Sequence, residues 1–425
     1  MSLRSVTLLL ALVALEFGAS GPGPVQAQAP AGERAGPTEN PAVAEPGSLL
    51  RIWLVTAGPG DAVWERYGHN AIRVLDTATG RDVAYNWGIF DFEQVDFIPR
   101  FLRGRMLYMM APFQSQSMLA AYARVDREVV VQELDLTPAQ KLELRDLAER
   151  NALPENRDYA YQYFLDNCST RVRDLLDRVL GGSLRAEFES RPGGVSFRDH
   201  IRRLTQDDPL IFTGMDLLLG APGDRPISIW EEMFIPMRLR DELRTVTVTG
   251  PDGATRSLVL SEQTVVETVR PEEATTPPRW FAFYVMLGLV LGGVAASSAS
   301  GRVRSKTPLR RAVATVTFLW TALGGVLGTI LVLVLFTDHS FMFWNENLFL
   351  FNPLLLVVAG LIPLSAAGAR WRVRLRATTT IVAGLALLGL LWQLAPFSQH
   401  ENAIFFALAM PGHLGLAYAS MTEAR

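Results

Sequence analysis

Residues 163–176 read YFLDNCSTRVRDLL, and Cys168 within them is the only cysteine of the 425-residue chain. Beyond it the apolar positions Val172, Leu175, Leu176, Val179 and Leu180 recur at helical spacing and stop at Gly181 and Gly182. Cys168 therefore opens a helix. At a helix start the unpaired backbone amides carry partial positive charge, which lowers a thiol's pKa and favours the thiolate. That is nucleophile chemistry. The alternative is a small buried hydrophobe. Against it, Asn167 and Ser169 flank the cysteine and the apolar face begins only at Val172.

Working outward, the surroundings read as α+β. Leu50–Val55 is a short apolar strand, and Asn70–Leu75 with Val83–Trp87 forms a hairpin around the turn residues Asp76 to Arg81. Val129–Leu134 is another strand. Thr137 and Pro138 then start a helix that runs to about Leu153. Residues 198–243 read as mainly helical, and Thr245–Leu260 as a hairpin turning at Pro251, Asp252 and Gly253. No internal repeat divides residues 49–275, whose length suits one domain.

The ends of the chain set its address. Residues 1–29 combine Arg4, an apolar run from Val6 to Phe17 and small residues at Ala27 and Ala29, the parts of a secretory signal. Residues 30–48, rich in Pro, Ala, Gly and Glu, have little to bury and read as a disordered linker. In an exported chain a single cysteine has no intramolecular disulfide partner. Hydrophobic residues make up 49% of the chain. Five apolar spans follow Pro278, at about 280–298, 312–336, 348–368, 377–396 and 403–420, each near the ~20 residues that cross a bilayer. Loops 299–311 and 369–376 are rich in Arg and Lys, whereas 337–347 and 397–402 contain neither. The positive-inside rule therefore puts the first pair in the cytoplasm and the 49–275 domain outside it. With 40 basic against 43 acidic side chains, nothing marks a nucleic-acid partner.

A thiol nucleophile needs a base, and there are five histidines. His339 and His400 fall in the outer loops, His413 in the last span and His200 among charged helix residues, while His69 follows Gly68 at the start of a strand in GHNAIRV. If Asp76 pairs with Arg81, then Ala71 faces Asn86. Asn86 then lies diagonally across from His69 on the same face, the third member of a Cys-His-Asn set, with Asp91 as its substitute. In the outer loops, DHSFMFWNENLFLFNP and QHENA offer His339, Asn345, Asn347, His400 and Asn402 for a headgroup or an amine. Helix capping is the competing reading. A metal held by His339, His400, Glu346 and Glu401 is the weaker option, because no tight ligand spacing supports it. No metal or cofactor is expected.

GHNAIRV, YNWGIFDFEQVDF, DNCSTRVRDLLD and DLLLGAPGDRPISIWEEMFIP, followed by the multi-span tail, resemble the Lnb-type lipoprotein N-acyltransferases, which carry an N-terminal periplasmic domain. The order of histidine before cysteine is also similar to the circularly permuted papain-like hydrolases and acyltransferases of the NlpC and lecithin:retinol acyltransferase kind. The resemblance covers nearly everything from about residue 50 onward. It implies a multi-pass protein of the bacterial inner membrane with its catalytic domain in the periplasm, moving an acyl chain from phospholipid to the amine of a diacylated lipoprotein. Cys168 would carry the acyl group and His69 would be its base. Two alternatives stay open: a membrane-tethered cysteine peptidase or amidase acting on cell-wall peptide, and a non-catalytic scaffold.

Overall fold

The structure, a computed structural model, describes residues 45–91, 93–250, 253–396 and 398–422. The expected signal peptide (1–29) and the linker as far as residue 44 lie outside the described residues, as do Pro251 and Asp252. The linker's last residues form a turn, in which the Ser48 amide donates to Glu45 O at 2.9 Å. The chain divides into two compact units. The first takes the chain up to Arg100, Arg105–Gly194 and Ile227–Glu273; the second takes Phe101–Gly104, Val195–Pro226 and everything from Ala274.

The first unit is built on a seven-stranded antiparallel sheet. Its strands are β1 (Leu50–Ala57), β2 (His69–Asp76), β3 (Arg81–Ile89), β4 (Leu107–Gln114), β5 (Val129–Leu134), β6 (Asp158–Ala160) and β7 (Val259–Val266), in the spatial order β7-β5-β1-β2-β3-β4-β6. Strand β1 is buried along almost its whole length, so its side chains serve two clusters with a period of two. Leu50, Ile52 and Leu54 enter one cluster, with Leu144 and Ala148 of helix α1 (Pro138–Ala152) and Val172, Leu176 and Val179 of helix α2 (Cys168–Val179). Trp53, Val55 and Ala57 enter the other, with Met118. Both helices start as the sequence dictates. Thr137 caps α1 in a capping box with Gln140, and Asn167 caps α2 in one with Thr170.

The β2–β3 hairpin pairs Asp76 with Arg81 and Ala71 with Asn86, the register expected from the turn. Strand β4 has no counterpart in the sequence reading, because Pro112 interrupts its apolar run. It is tolerated there because β6 pairs only with Leu107–Met109, leaving the strand an edge at Pro112. The hairpin of Thr247–Thr249 and Thr255–Ser257 forms as expected, and the chain then continues into β7 on the far edge of the sheet.

In the second unit, helices α3 (Phe197–Leu204) and α4 (Pro209–Leu218) precede the apolar helices α5 (Phe281–Ser297), α6 (Thr307–Val334), α7 (Glu346–Ala367), α8 (Ala369–Trp392) and α9 (Ala403–Thr422). Of the five expected spans, four (α6 to α9) are long and apolar enough to cross a membrane, and α5 is shorter at 17 residues. The sequence reading assigns residues 195–226 to the soluble domain, but their packing assigns them here. Phe212 and Leu217 of α4 lie in one apolar cluster with Tyr284, Leu331, Phe351 and Phe405. A buried guanidinium fixes the same segment: Arg198 donates to Asp216 Oδ1 at 2.7 Å, to Leu219 O at 2.8 Å and to both carboxylate oxygens of Asp224.

Candidate active site

Cys168 is the first residue of α2 and is buried. Its surroundings are fixed by the cap before it. Asn167 Oδ1 accepts from the amides of Ser169 and Thr170, both at 2.9 Å, and Asn167 Nδ2 donates to Tyr163 O at 3.0 Å and Phe234 O at 2.9 Å. The helix start is thereby pinned on two sides.

His69 is the first residue of β2, and two neighbours hold it there. Gly68 has φ +78°, and a Cβ on it would lie 2.9 Å from Ala57 O and 2.5 Å from the Met237 sulfur, so only glycine brings the chain into the strand at this point. Asn70 is fully buried; its Nδ2 donates to Ser169 Oγ at 3.0 Å and its Oδ1 accepts from Thr56 Oγ1 at 2.8 Å. The residues following His69 and Cys168 are therefore bonded to each other.

The imidazole Nε2 lies 3.1 Å from Asn86 Oδ1. Asn86 is buried and its Nδ2 donates to Ala84 O at 3.0 Å, which turns Oδ1 toward the ring. Nε2 must then carry the proton, and Nδ1 keeps a lone pair. Asp91, the substitute for Asn86, is exposed and accepts from the Glu93 amide in its own turn at 2.8 Å.

The electrostatics correct one expectation. The backbone amides of Asn70, Ser169 and Cys168 and the charge of Arg127 all pull the Cys168 pKa down, as a helix start should, but burial outweighs them and pushes the thiol up. Burial also lowers His69, to about 4, assisted by Arg127 and opposed by the Asn86 hydrogen bond. Near neutral pH both groups are thus uncharged, a thiol and a neutral imidazole. Arg127 is itself buried, with Nε donating to Gly58 O at 2.9 Å and Nη1 to Glu65 Oε1 at 3.2 Å.

An aromatic wall completes the site. Tyr108 and Tyr161 stack at 4.0 Å between ring centroids, Phe90 lies 5.1 Å from Tyr108, and Trp64 lies 5.9 Å from Phe90. Burial and then the nearby Cys168 push the Tyr108 hydroxyl up to about 12 and that of Tyr161 well above its ordinary value. Between Asn86 and Ile89 the β3–β4 register shifts, and Gly88, with φ +85°, sits in that irregularity; a Cβ there would lie 3.3 Å from Cys168 Cβ. Asn70, Gly88, Arg127 and the tyrosines are additions to the sequence reading. For Asn70 a signal was present: it is a polar residue at an inward position, in step with Ile72 and Val74.

The outer-loop candidates lie in the second unit, all buried. His339 Nε2 is 3.0 Å from Phe101 O. Asn345 Nδ2 donates to Leu217 O and Leu218 O at 2.8 and 3.0 Å, Asn347 Nδ2 donates to Leu217 O at 3.1 Å, and Asn402 Nδ2 donates to Asn347 Oδ1 at 3.1 Å. His400 Nδ1 accepts from the Glu346 amide at 3.0 Å. These bonds tie the loops to the last carbonyls of α4 and to one another. Glu346 instead accepts from Trp392 and Ser398, and Glu401 pairs with Arg202 at 3.0 Å. Among the described residues no three His, Cys, Asp or Glu side chains come together to hold a metal ion.

Comparison with known proteins places this arrangement. Residues 45–206 match the family model described as the Lnb N-terminal periplasmic domain, and residues 279–423 match the Lnb transmembrane domain. No curated protein and no solved structure matches the chain. The chain belongs to the Lnb family, whose members join a periplasmic N-terminal domain to a transmembrane domain.

Proposed function

We propose that the chain is a cysteine-dependent lipoprotein N-acyltransferase of the bacterial inner membrane, which takes an acyl chain from phospholipid and delivers it to the α-amine of a diacylated lipoprotein. The first unit would then be a circularly permuted papain-like thiol domain, with histidine ahead of cysteine in the chain. One observation carries the reading: Asn86 accepts from His69 Nε2, which leaves Nδ1 as a base in the unit that holds the buried thiol. The family's link to lipoproteins supplies the substrate class.

The resting pair is neutral, so the proton moves as the bond forms. Cys168 Sγ attacks the ester carbonyl carbon of the phospholipid while His69 Nδ1 takes the thiol proton. The carbonyl oxygen gathers negative charge, and the amides of Cys168 and Asn70, which already face the sulfur, are its donors. The intermediate collapses by releasing the glycerol oxygen, which receives the proton from His69. A lysophospholipid leaves and an acyl-thioester remains. The lipoprotein amine then attacks the thioester carbonyl, His69 accepts a proton from the amine, and the departing sulfur is reprotonated. The Tyr108–Tyr161 wall offers apolar surface for the chain in transit.

The test is direct. Full-length protein incubated with phospholipid in the absence of acceptor should gain the mass of one acyl group on the peptide that contains Cys168. The adduct should be labile to hydroxylamine and absent from Cys168→Ser. Cleavage of cell-wall peptide with no such adduct would replace the transferase by a thiol peptidase, and a fully active Cys168→Ser protein would remove the nucleophile altogether.

A further inference from the structure

Helix α4 is the part of the second unit whose surface the function above leaves unexplained. Its sequence, PLIFTGMDLL, is apolar apart from Thr213 and Asp216, and both have partners on the inner side: Asp216 with Arg198 and Arg202, and Thr213 Oγ1 with Tyr284 Oη at 2.5 Å. Phe212 packs on Trp280 with ring centroids 4.8 Å apart, and Leu217 is buried in the bundle cluster. The C-terminal end of the helix is held by Asn345 and Asn347. The N-terminal end leaves the bundle. Leu210, in the first turn of the helix, is 82% exposed.

The half of α4 that carries Leu210 packs on the start of α5 through Phe212 and Thr213. Trp280 and Tyr284, which α4 touches, lie at the start of α5. Phe281 and Phe283 beside them are half exposed, and Met286 and Leu289 continue the exposed apolar surface along the helix. Aromatic residues at the end of an apolar helix mark the level where hydrocarbon meets headgroup. A large apolar side chain left 82% exposed on a helix that packs against those aromatic residues has hydrocarbon and not water as its fitting neighbour.

We propose that α4 is an interfacial membrane helix, with Leu210 and the N-terminal end of α4 seated among the acyl chains of the outer leaflet beside α5. The residues concerned lie within a stretch that reads as part of the soluble domain, so the inference redraws where that domain ends. It goes beyond the acyl-transfer reading and does not depend on it. The occupant is bulk phospholipid; a lipoprotein or a second copy of the chain covering the same face is a different outcome of the test.

The test uses the full chain with Cys168→Ser, which leaves no other thiol, and one introduced cysteine carrying a nitroxide. The protein is reconstituted into vesicles of phosphatidylethanolamine and phosphatidylglycerol. Positions Leu210 and Met286 are compared with Leu165, an exposed leucine of the first unit. Because Leu210 is exposed, Leu210→Cys leaves the packing of α4 intact. The expected result is that oxygen relaxes the Leu210 label several-fold more effectively than a water-soluble nickel chelate, as at Met286, while Leu165 shows the reverse preference. A Leu210 label that behaves like the Leu165 label overturns the proposal. So does one that neither reagent reaches, which would mean that protein and not lipid covers the face. Should the labelled protein be recovered poorly, Leu210→Trp in the native chain gives a second readout: dibrominated lipid should increase tryptophan quenching over that of the unsubstituted protein, and equal quenching counts against the idea.

Discussion

Asn70 and Ser169 are joined by a 3.0 Å hydrogen bond, and each directly follows a residue with site chemistry, His69 in the strand and Cys168 in the helix. The bond crosses from β2 to α2 and is fully buried at both ends. It ties the strand that carries His69 to the helix that carries Cys168, so their spacing is a property of the core and not of an exposed loop.

Replacing Asn70 with alanine should therefore injure stability and chemistry together. The change removes the bond to Ser169 and strands the Thr56 hydroxyl, which donates to Asn70. Leaving buried polar groups unpaired costs about 1–3 kcal/mol. Urea titration of the variant should show that loss. Acyl transfer should fall further than the fraction unfolded explains, because the remaining folded molecules no longer hold the pair in place. Unchanged turnover per folded molecule would reduce Asn70 to a packing residue.

The thiol's pH behaviour separates the influence of Arg127 from that of His69. Burial holds the Cys168 pKa above its ordinary value, so iodoacetamide labelling of the folded chain should climb mainly above about pH 8.5. Arg127 opposes that rise, and Arg127→Met should displace the profile further upward, with Arg127→Lys restoring much of it. His69, lowered to about 4, carries no charge in this range, so His69→Gln should leave the labelling profile nearly in place while abolishing acyl transfer. A large upward displacement in His69→Gln would instead reveal a thiolate–imidazolium pair at rest.

Much of the first unit was legible because local chemistry and the final structure agree. Thr137 and Asn167 cap the helices they precede, the β2–β3 register follows from the turn, and that register puts Asn86 across from His69. What was not legible depends on contacts between residues far apart in the chain. Gly88 has a left-handed backbone, and Cys168 comes within 3.3 Å of where a Cβ would be, a distance that no local pattern states. The sign of the thiol's shift was misread for the same reason: the helix start lies within a few residues, whereas the burial that outweighs it comes from the whole core. The assignment of residues 195–226 followed their helical spacing, which cannot say which core a helix joins.

Arg198 fastens that segment from within. Its side chain is fully buried between Asp216 and Asp224, and both carboxylates are buried as well. Arg198→Met would leave Asp224 without its paired cation and Asp216 with Arg202 alone, and breaking a buried pair in this way costs about 3–5 kcal/mol. The sign of the pH dependence follows from Asp224. Burial pushes its carboxyl up to about 6 even with Arg198 present, so without the arginine the folded state holds the proton more firmly still. The destabilisation should accordingly be larger at about pH 8 than at about pH 5, where the carboxyl is protonated in the folded chain at less cost. Thermal unfolding in detergent at the two pH values measures it, and a loss independent of pH would mean that Asp224 is not the group left uncompensated.

The last prediction concerns what remains when the membrane helices are removed. A chain cut after Arg270 and joined to an unrelated single span keeps the sheet, α1, α2 and the Asn70–Ser169 bond, so Cys168 should still label with the pH profile of the intact protein. Residues 195–226 should fare differently. Phe212 and Leu217 lose the cluster formed with Leu331, Phe351 and Phe405, and the end of α4 loses the amides of Asn345 and Asn347 that take its carbonyls. Neither loss can be made good by a span of foreign sequence. Limited proteolysis should cut the truncated chain within 195–226 and leave the same residues protected in the full-length protein, and phospholipid-dependent acyl transfer should disappear with the protection. If residues 195–226 stay protected in the truncated chain and lipoproteins are still N-acylated at a comparable rate, the segment belongs to the first unit in solution and the membrane helices serve only as an anchor.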